Sequence, residues 1–252
     1  MTAADALAAM EHLPFASIEA LLAPGPLLIL APHPDDESLG CGGLIAAACD
    51  AGHPPFVLVA TDGAGSHPNS RAYPPARLRA TRQREACAAV GILGLPANRI
   101  GFLGLPDTQS PASGPAFDAA VTAVASLAIR IQAGAILATW MHDPDCDHES
   151  AHLIAAAAAR EVGRPHLAYP VWGWTLPPDT PWPGPLPTGQ RIDITAQLPR
   201  KRQAIAAHRT QHAGVIIDDP SAFQMTPAFM ALFDRPFETV LTTGWSPGAS
   251  TG

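Results

Sequence analysis

Two clusters of acids and histidines in this sequence have the residue types that bind metals and move protons. The first, His33–Glu37, reads His-Pro-Asp-Asp-Glu and directly follows the apolar run Leu28–Ala31. Adjacent carboxylates repel each other unless they share a proton or a cation. A divalent metal would neutralise the pair, with one carboxylate as ligand and the other left to accept a proton. The alternative is that Asp35 and Asp36 only cap the next helix, but capping needs one carboxylate and no histidine.

The second cluster spans His142–His152 and follows another apolar run, Ile136–Trp140. His148 and His152 are four residues apart and would share one face of a helix, as metal-binding histidine pairs often do. Such a pair alone is a weak signal, because a histidine at a helix start is more often a hydrogen-bonded structural group. Two histidines and one carboxylate with an open position are typical of catalytic zinc, although the same donors accept iron, cobalt or nickel.

Short β-type segments alternate with longer Ala-rich helical segments, and these elements must position both clusters. The predicted strands are Leu27–Ala31, Phe56–Ala60, Arg99–Leu103, Ala135–Trp140 and Arg191–Thr195. The predicted helices are Ser38–Ala51, Pro75–Val90, Phe117–Gln132, His148–Val162 and Gln197–His212. This alternation predicts an α/β, Rossmann-like, three-layer fold with a mostly parallel sheet and helices on both faces. In such open sheets ligands bind beyond the carboxyl ends of the strands, where both clusters would lie.

We expect one domain over residues 1–252, with an ordered core from about residue 20 to 245 and a disordered tail from Ser246 onward. Residues 164–190 depart from the alternation because they contain eight prolines together with Tyr169, Trp172, Trp174 and Trp182. Eight prolines exclude a regular helix, so this segment is predicted to be a long, stiff loop.

Composition narrows the class of protein. Of 252 residues, 47% are hydrophobic and 15% charged, which excludes a disordered chain. The formal net charge is -7 and Lys201 is the one lysine, so we expect no nucleic-acid partner. The four cysteines are scattered, the first residues lack a basic leader, and the most apolar stretch is interrupted by polar residues. We therefore expect a cytoplasmic protein with no membrane insertion.

Four segments together resemble the PIG-L/LmbE-like family of zinc-dependent N-acetylglucosaminyl deacetylases. His33–Glu37, with the preceding Ala-Pro, resembles the defining motif of that family. Ala60–Gly65, Arg79–Glu85 and Lys201–Gln211 resemble three further family segments and occur in the expected order. The resemblance extends from about Leu27 to Gln211. The first motif is highly specific, and the others gain weight from their order.

The resemblance implies one Zn²⁺ per chain, bound by His33, Asp36 and His148. It also implies that Asp35 is the general base. Asp147 matches the second family motif and is included among the catalytic residues.

One departure from the family concerns the residue that assists in the transition state. The second motif usually reads His-Pro-Asp-His, whereas this chain has Asp145 at its first position. A carboxylate there would repel an oxyanion. Either His142 or His208 takes over that role, or the enzyme is slower or differently tuned. The resemblance of the C-terminal segment implies that His208 is catalytic. The alternative is that His208 is an ordinary surface histidine.

The predicted substrate contacts are Arg82, Asp62, Trp172 and Trp174. Arg82 would reach the substrate or form a helix-stabilising pair with Glu85, Asp62 would shape the pocket floor, and the tryptophans would stack on a sugar or anchor the loop. Specificity is expected to depend on residues 164–190 and 63–73.

The predicted activity is zinc-dependent hydrolysis of an N-acyl group, most simply acetyl, from a small N-acetylglucosamine-type amino-sugar derivative. The same metal chemistry on another N-acylated molecule is an alternative. A non-catalytic Rossmann-like module that binds a sugar or nucleotide is another, and Asp145 is the feature that favours it. Members of the family often assemble, so a homo-oligomer is compatible with the resemblance, and no segment of the sequence identifies an interface.

Overall fold

The computed structural model describes residues 1–244. Its strands are β1 (Phe15–Ala16), β2 (Leu27–Ala31), β3 (Phe56–Thr61), β4 (Ile100–Leu105), β5 (Ala135–Thr139), β6 (His166–Tyr169), β7 (Gly189–Asp193) and β8 (Phe237–Thr242). Its α-helices are α1 (Ala3–Glu11), α2 (Ile18–Leu22), α3 (Asp36–Asp50), α4 (Pro75–Ile92), α5 (Pro115–Arg130), α6 (Cys146–Val162), α7 (Leu198–Ala207), α8 (Arg209–His212) and α9 (Pro227–Ala231). Ala97–Arg99 and Trp172–Thr175 are short 3₁₀ helices.

The strands form one sheet in the order β1-β7-β8-β6-β5-β2-β3-β4. β8 runs antiparallel to both of its neighbours, β6 and β7, and the other pairings are parallel. At the centre, Leu28 of β2 is in register with Phe56 of β3 and with Ile136 of β5. This architecture confirms the predicted mostly parallel α/β sheet.

Helices cover both faces of the sheet, and β2 shows how the sequence specifies this. Successive side chains of a strand point to opposite faces of the sheet. All five residues of β2 are buried because helices cover both of those faces. Leu27 and Ile29 pack in a core that includes residues of α3, α4 and α7. Leu28 and Leu30 pack in a second core with residues of α5 and α6. The continuous apolar run is therefore the signature of a strand buried on both sides.

The structure corrects the prediction of one long loop over residues 164–190. β6 lies inside this segment, between β5 and β8, and a 3₁₀ helix follows it. Pro165 and Pro170 flank the strand and leave its amide groups free to pair with β5. The prolines exclude a helix, as predicted, but they do not exclude a strand between them.

The folded part of the chain also begins before residue 20, where the ordered core was expected to start. α1 buries Ala3, Ala6 and Met10 completely. The predicted helix Gln197–His212 is interrupted at His208, whose backbone leaves the helical region between α7 and α8. The expectation for the tail from Ser246 onward lies outside the described residues. Within residues 1–244, no helix has the length and apolar character needed to cross a membrane.

Candidate metal centre and cavity

The two predicted clusters meet at the carboxyl ends of adjacent strands. His33–Glu37 follows β2 and leads into α3, and the second cluster lies between β5 and α6. Asp145 caps α6, since its Oδ1 accepts hydrogen bonds from the amides of Asp147 (2.8 Å) and His148 (3.2 Å). The parallel pairing of β2 with β5 thus brings together side chains more than a hundred residues apart.

One atom each from His33, Asp36 and His148 converge in a group whose members lie within 4.8 Å of one another. Asp36 Oδ2 is 3.2 Å from His33 Nδ1 and 3.3 Å from His148 Nε2. His148 Nε2 is buried and has no hydrogen-bond partner, because its contact with Asp36 is not aligned for one. Two imidazoles and one carboxylate whose ligand atoms converge in this way fit a zinc-type cation. His33, Asp36 and His148 are also the ligands that the family resemblance implies.

The remaining ring nitrogens of both histidines contact carboxylates. His148 Nδ1 is 2.9 Å from Asp143 Oδ2, and His33 Nε2 is 3.1 Å from Asp147 Oδ2 and 3.2 Å from Asp107 Oδ1. Carboxylates placed behind metal-binding imidazoles fix the ring orientation and raise the basicity of the ligand. Asp107 and Asp143 therefore belong to the site, although neither was predicted.

The charges of this cluster favour positive charge at its centre. Burial by itself lowers the pKa of His148, but the carboxylates of Asp36 and Asp143 outweigh burial and raise this pKa to about 10. Burial raises the pKa of Asp36, but contacts with His148 and His33 outweigh it and leave the pKa well below its usual value. The same carboxylates that stabilise a proton on His148 would stabilise a bound cation.

Asp35 lies beside the ligand group and lines the same cavity. Its side chain is 4% exposed, and its Oδ2 accepts a hydrogen bond of 3.0 Å from Arg82 Nη2. Burial raises the pKa of Asp35 to about 6, with the guanidinium of Arg82 acting in the opposite direction. Its backbone amide donates to Glu37 Oε2 at 2.9 Å, which fixes the turn between the strand and α3.

The structure separates His208 from the cavity wall. This histidine is 1% exposed, and its Nε2 lies 3.1 Å from both Glu37 Oε1 and Ser38 Oγ. Glu37 links His208 to the backbone of Asp35, and His208 is not among the cavity-lining residues. His142 is also absent from the lining and packs on Trp182 at 4.5 Å between ring centroids. Asp145 itself lines the cavity, so neither histidine occupies its place.

His152, the second histidine of the predicted pair, lies outside the ligand group. Its Nδ1 is 2.9 Å from the carbonyl oxygen of Thr139, and its ring packs edge-on against His166 at 4.6 Å. Of the two histidines spaced four residues apart, His148 therefore belongs to the ligand group and His152 makes structural contacts.

Arg82 lines the cavity and joins the loops around it. It is 3% exposed and donates to the carbonyl oxygens of Gly63 (2.9 Å) and Pro34 (3.2 Å), besides Asp35. Gly63 has a φ of +65°, and a Cβ there would lie 3.0 Å from both Arg82 and Pro34, so the close approach requires glycine. The alternative pairing of Arg82 with Glu85 does not form, because Glu85 accepts hydrogen bonds from Thr210 instead.

The other predicted substrate contacts divide between the cavity and the scaffold. Trp172 lines the cavity. Asp62 does not: its carboxylate accepts from the amide of Ala64 at 3.0 Å and pairs with Arg79. Trp174 also lies outside the lining, with the guanidinium of Arg235 stacked 4.1 Å from its ring centroid. Trp174 therefore anchors its loop to the rest of the chain and does not stack on a sugar. The same is true of Trp182, which stacks on Trp140.

The cavity has a volume of about 340 Å³ and draws much of its wall from segments that were not predicted. Gly65, Ser66 and Pro68 come from the expected loop 63–73, but residues 164–190 contribute only Trp172 among the lining residues of the described chain. The unpredicted lining residues are Leu39, Asp107, Thr108, Gln211, Ser221, Ala222, Phe223 and Phe229. Asp107 follows β4, so the rule that ligands gather at strand ends could have identified it. Residues 221–229 carry no comparable signal.

Two acids hold the unpredicted wall in place. Asp218 accepts hydrogen bonds from Ser70 Oγ (2.7 Å) and from the amides of Arg71 (2.8 Å) and Ala72 (2.9 Å). Asp219 accepts from the amide of Asn69 at 2.8 Å. The segment around Phe223 is thereby joined to loop 63–73, which forms a neighbouring part of the wall.

Comparison with known sequences identifies the family to which the first part of the cavity-forming chain belongs. The sequence model of the PIG-L family, described as GlcNAc-PI de-N-acetylase, matches residues 28–159, just over half of the chain. This chain belongs to the PIG-L family. The matched region contains both clusters that form the ligand group, whereas Gln211, Phe223 and Phe229 lie beyond it.

Proteins similar to this chain include enzymes that catalyse different reactions. A 1D-myo-inositol 2-acetamido-2-deoxy-alpha-D-glucopyranoside deacetylase of Rhodococcus erythropolis is 27% identical over 240 residues, covering 73% of this chain and 80% of the relative. An N,N'-diacetylchitobiose deacetylase of Pyrococcus horikoshii has a similar structure (TM-score 0.58, 21% identity, 73% of this chain and 70% of that one). GalB, a 4-carboxy-2-hydroxymuconate hydratase of Pseudomonas putida KT2440, is comparably similar (TM-score 0.56, 21% identity, 73% and 78%). The fold is therefore compatible with more than one reaction, and the activity of this chain has to be inferred from the residues of its site.

Proposed function

We propose that this chain is a zinc-dependent N-deacetylase that releases acetate from an N-acetylglucosamine-type amino-sugar derivative and binds one zinc ion per chain. The observation that carries the proposal is a buried carboxylate, Asp35, beside the ligand group of His33, Asp36 and His148 on one cavity. A module that only binds a sugar has no use for a second carboxylate beside a metal-type site. The deacetylase names of the Rhodococcus and Pyrococcus proteins support the choice of an acetylated amino sugar.

The reaction is hydrolysis of an amide. The oxygen of water bonds to the carbonyl carbon, the C–N bond breaks, and acetate and a free amine leave. Zinc, when bound, polarises the carbonyl group and lowers the pKa of water. Asp35 accepts the proton of the attacking water and passes it to the departing nitrogen. Arg82 holds Asp35 Oδ2 and leaves the other carboxylate oxygen to perform this transfer.

The contacts of Asp147 and His208 support positioning roles. Asp147 Oδ2 contacts His33 and accepts from the amide of Thr108, while its Oδ1 accepts from the amide of Ser110. All its oxygens are engaged, so we propose that it orients His33. His208 supports Glu37, which fixes the backbone of Asp35.

Asp145 stands on the cavity wall in the place of the family's histidine. A carboxylate repels the negative charge that develops on the carbonyl oxygen. We therefore expect slower turnover than in relatives that have a histidine there.

The four cysteines are free, which fits a reducing compartment, and we propose that the protein acts in the cytoplasm.

Acetate release by the zinc-loaded protein, with N-acetylglucosamine and its glycosides as substrates, tests the proposal. We expect kcat to fall at least about 100-fold in Asp35→Asn, with little change in KM, because the general base is lost. Asp62→Asn is the matched control, since Asp62 is a buried acid on a neighbouring loop but does not line the cavity. Unaltered kcat in Asp35→Asn would refute the mechanism. Zinc bound without acetate release from any substrate would favour the binding module.

A further inference from the structure

The wall of the cavity carries an excess of negative charge. Its ionisable side chains include the carboxylates of Asp35, Asp36, Asp107 and Asp145. Arg82 is the one lysine or arginine among the lining residues of the described chain, and its guanidinium is already bonded to Asp35 and to two backbone carbonyls. Four carboxylates outweigh one guanidinium even with a divalent cation present. The cavity therefore disfavours phosphate or carboxylate groups on a substrate.

Another part of the wall is aromatic. Trp172, Phe223 and Phe229 are half-buried; Trp172 follows β6, and the two phenylalanines lie in residues 221–229. The centroid of the Trp172 ring lies 4.8 Å from that of Phe229 and 5.3 Å from that of Phe223. Phe229 in turn packs on Phe233 of the core at 5.2 Å, which fixes the cluster from behind. The three rings therefore present a rigid apolar surface inside a cavity that also holds the ligand group.

We infer that this aromatic cluster is the subsite for an uncharged, apolar aglycone attached to the amino sugar. The inference rests on the proposed function, which places the acetamido group at His33, Asp36 and His148. When the acetamido group of the sugar lies at the ligand group, the rest of the substrate, including the aglycone, must lie along the cavity. Aromatic rings stabilise aryl or alkyl groups by burial and by stacking, and the carboxylates select against a phosphorylated sugar.

Three probes test this substrate class: the 4-nitrophenyl and methyl glycosides of N-acetylglucosamine, in both anomers, and N-acetylglucosamine 1-phosphate. Acetate release should be fastest, by kcat/KM, with the nitrophenyl glycoside and slowest with the phosphate. Trp172→Leu should reduce the preference for the nitrophenyl over the methyl glycoside about 10-fold. Trp182→Leu is the matched control and should keep the preference, because Trp182 stacks on Trp140 outside the cavity.

The charge argument has its own variant. Asp145→Asn removes a carboxylate that repels the developing oxyanion with every substrate, so kcat/KM should rise for both probes, and it should rise about 5-fold more for the phosphate probe than for the methyl glycoside. Asn caps a helix as well as Asp, so α6 should keep its start. Should Trp172→Leu fail to fold, Phe223→Leu replaces it, since Phe223 is a separate part of the same cluster.

Two outcomes would overturn the inference while acetate release still supports the proposed function: equal rates with the nitrophenyl and methyl glycosides, or preference for the phosphate. If no probe is hydrolysed, the proposed function fails, and equilibrium binding to the same proteins decides the inference separately. The nitrophenyl glycoside should then bind at least about 10-fold more tightly than the phosphate, and Trp172→Leu should reduce that difference to the part that the carboxylates cause. Equal binding would contradict the aromatic subsite.

Discussion

Replacing Asp143 by Asn should weaken zinc binding although Asp143 is not one of the metal ligands. Its Oδ2 contacts His148 Nδ1 at 2.9 Å, and both side chains are fully buried. A hydrogen bond to a charged group contributes about 1.5 to 3 kcal/mol, which corresponds to about 10- to 100-fold in affinity. The same range is typical when the carboxylate behind a metal-binding histidine is lost.

Competition with a chelator of known zinc affinity measures this effect on the folded protein. Asp143 also accepts hydrogen bonds from the amides of Val171, Trp172 and Gly173, so Asp143→Asn should lower the free energy of unfolding by about 1 to 3 kcal/mol as well. Circular dichroism would therefore establish that the variant is folded at the temperature of the assay.

Two further variants serve as controls for Asp143→Asn. Asp147→Asn should reduce zinc affinity less, about 10-fold or below, because Asp107 remains 3.2 Å from the same nitrogen of His33. Asp62→Asn should leave the affinity unchanged. An Asp143→Asn affinity within about 2-fold of wild type, or an equal loss in Asp62→Asn, would refute the argument that this carboxylate orients the ligand.

Three other predictions follow from single contacts. His148→Ala should abolish zinc binding, measured as metal per chain by mass spectrometry, whereas His152→Ala should retain it; loss in His152→Ala instead would contradict the assigned ligand. Lys201→Met should lower the free energy of unfolding in urea by about 3 kcal/mol, because the buried Glu238 carboxylate, 2.7 Å from Lys201 Nζ, loses its counter-ion and keeps the amides of Gly43 and Leu44 as donors; a loss below about 1 kcal/mol would contradict this. Burial, assisted by His152, lowers the pKa of His166 to about 3, so the unfolded chain binds more protons between pH 6.5 and 3. Stability should therefore fall as pH falls through this window, by at most about 1.4 kcal/mol per pH unit from this group, and His166→Asn should flatten the slope in urea unfolding at pH 5 and 7.

The residues proposed to bind the metal and to move the proton could largely be predicted, because they are adjacent to the elements that position them. His33, Asp35 and Asp36 lie at the junction of β2 and α3, and His148 lies in the first turn of α6. Apolar runs of five or six residues specify buried strands, and parallel strands place their carboxyl ends on one edge. Sequence-local patterns therefore suffice to bring these side chains to the same place.

Spacing alone could not separate His148 from His152, which only the family resemblance distinguished, and it could not separate Trp172 from Trp174 and Trp182. Each set consists of the same residue type at similar spacing. The tertiary structure decides, because Asp143 stands behind His148, whereas His152 packs on His166, and because Arg235 covers Trp174. His166 and Arg235 lie on other elements, and their positions depend on how the chain packs, whereas Asp143 lies five residues before His148 in the turn that leads into α6.

The sequence alone determined the fold class and the resemblance to the PIG-L family, and it predicted the ligand group of His33, Asp36 and His148. Only the tertiary structure decided what surrounds the ligands: Asp107 and Asp143 behind the histidines, and Phe223 and Phe229 on the cavity wall. The ligands follow strands whose hydrophobic pattern fixes their location. The wall residues lie on irregular segments, held by contacts such as those of Asp218 with loop 63–73, and such long-range contacts leave no periodic trace in the sequence.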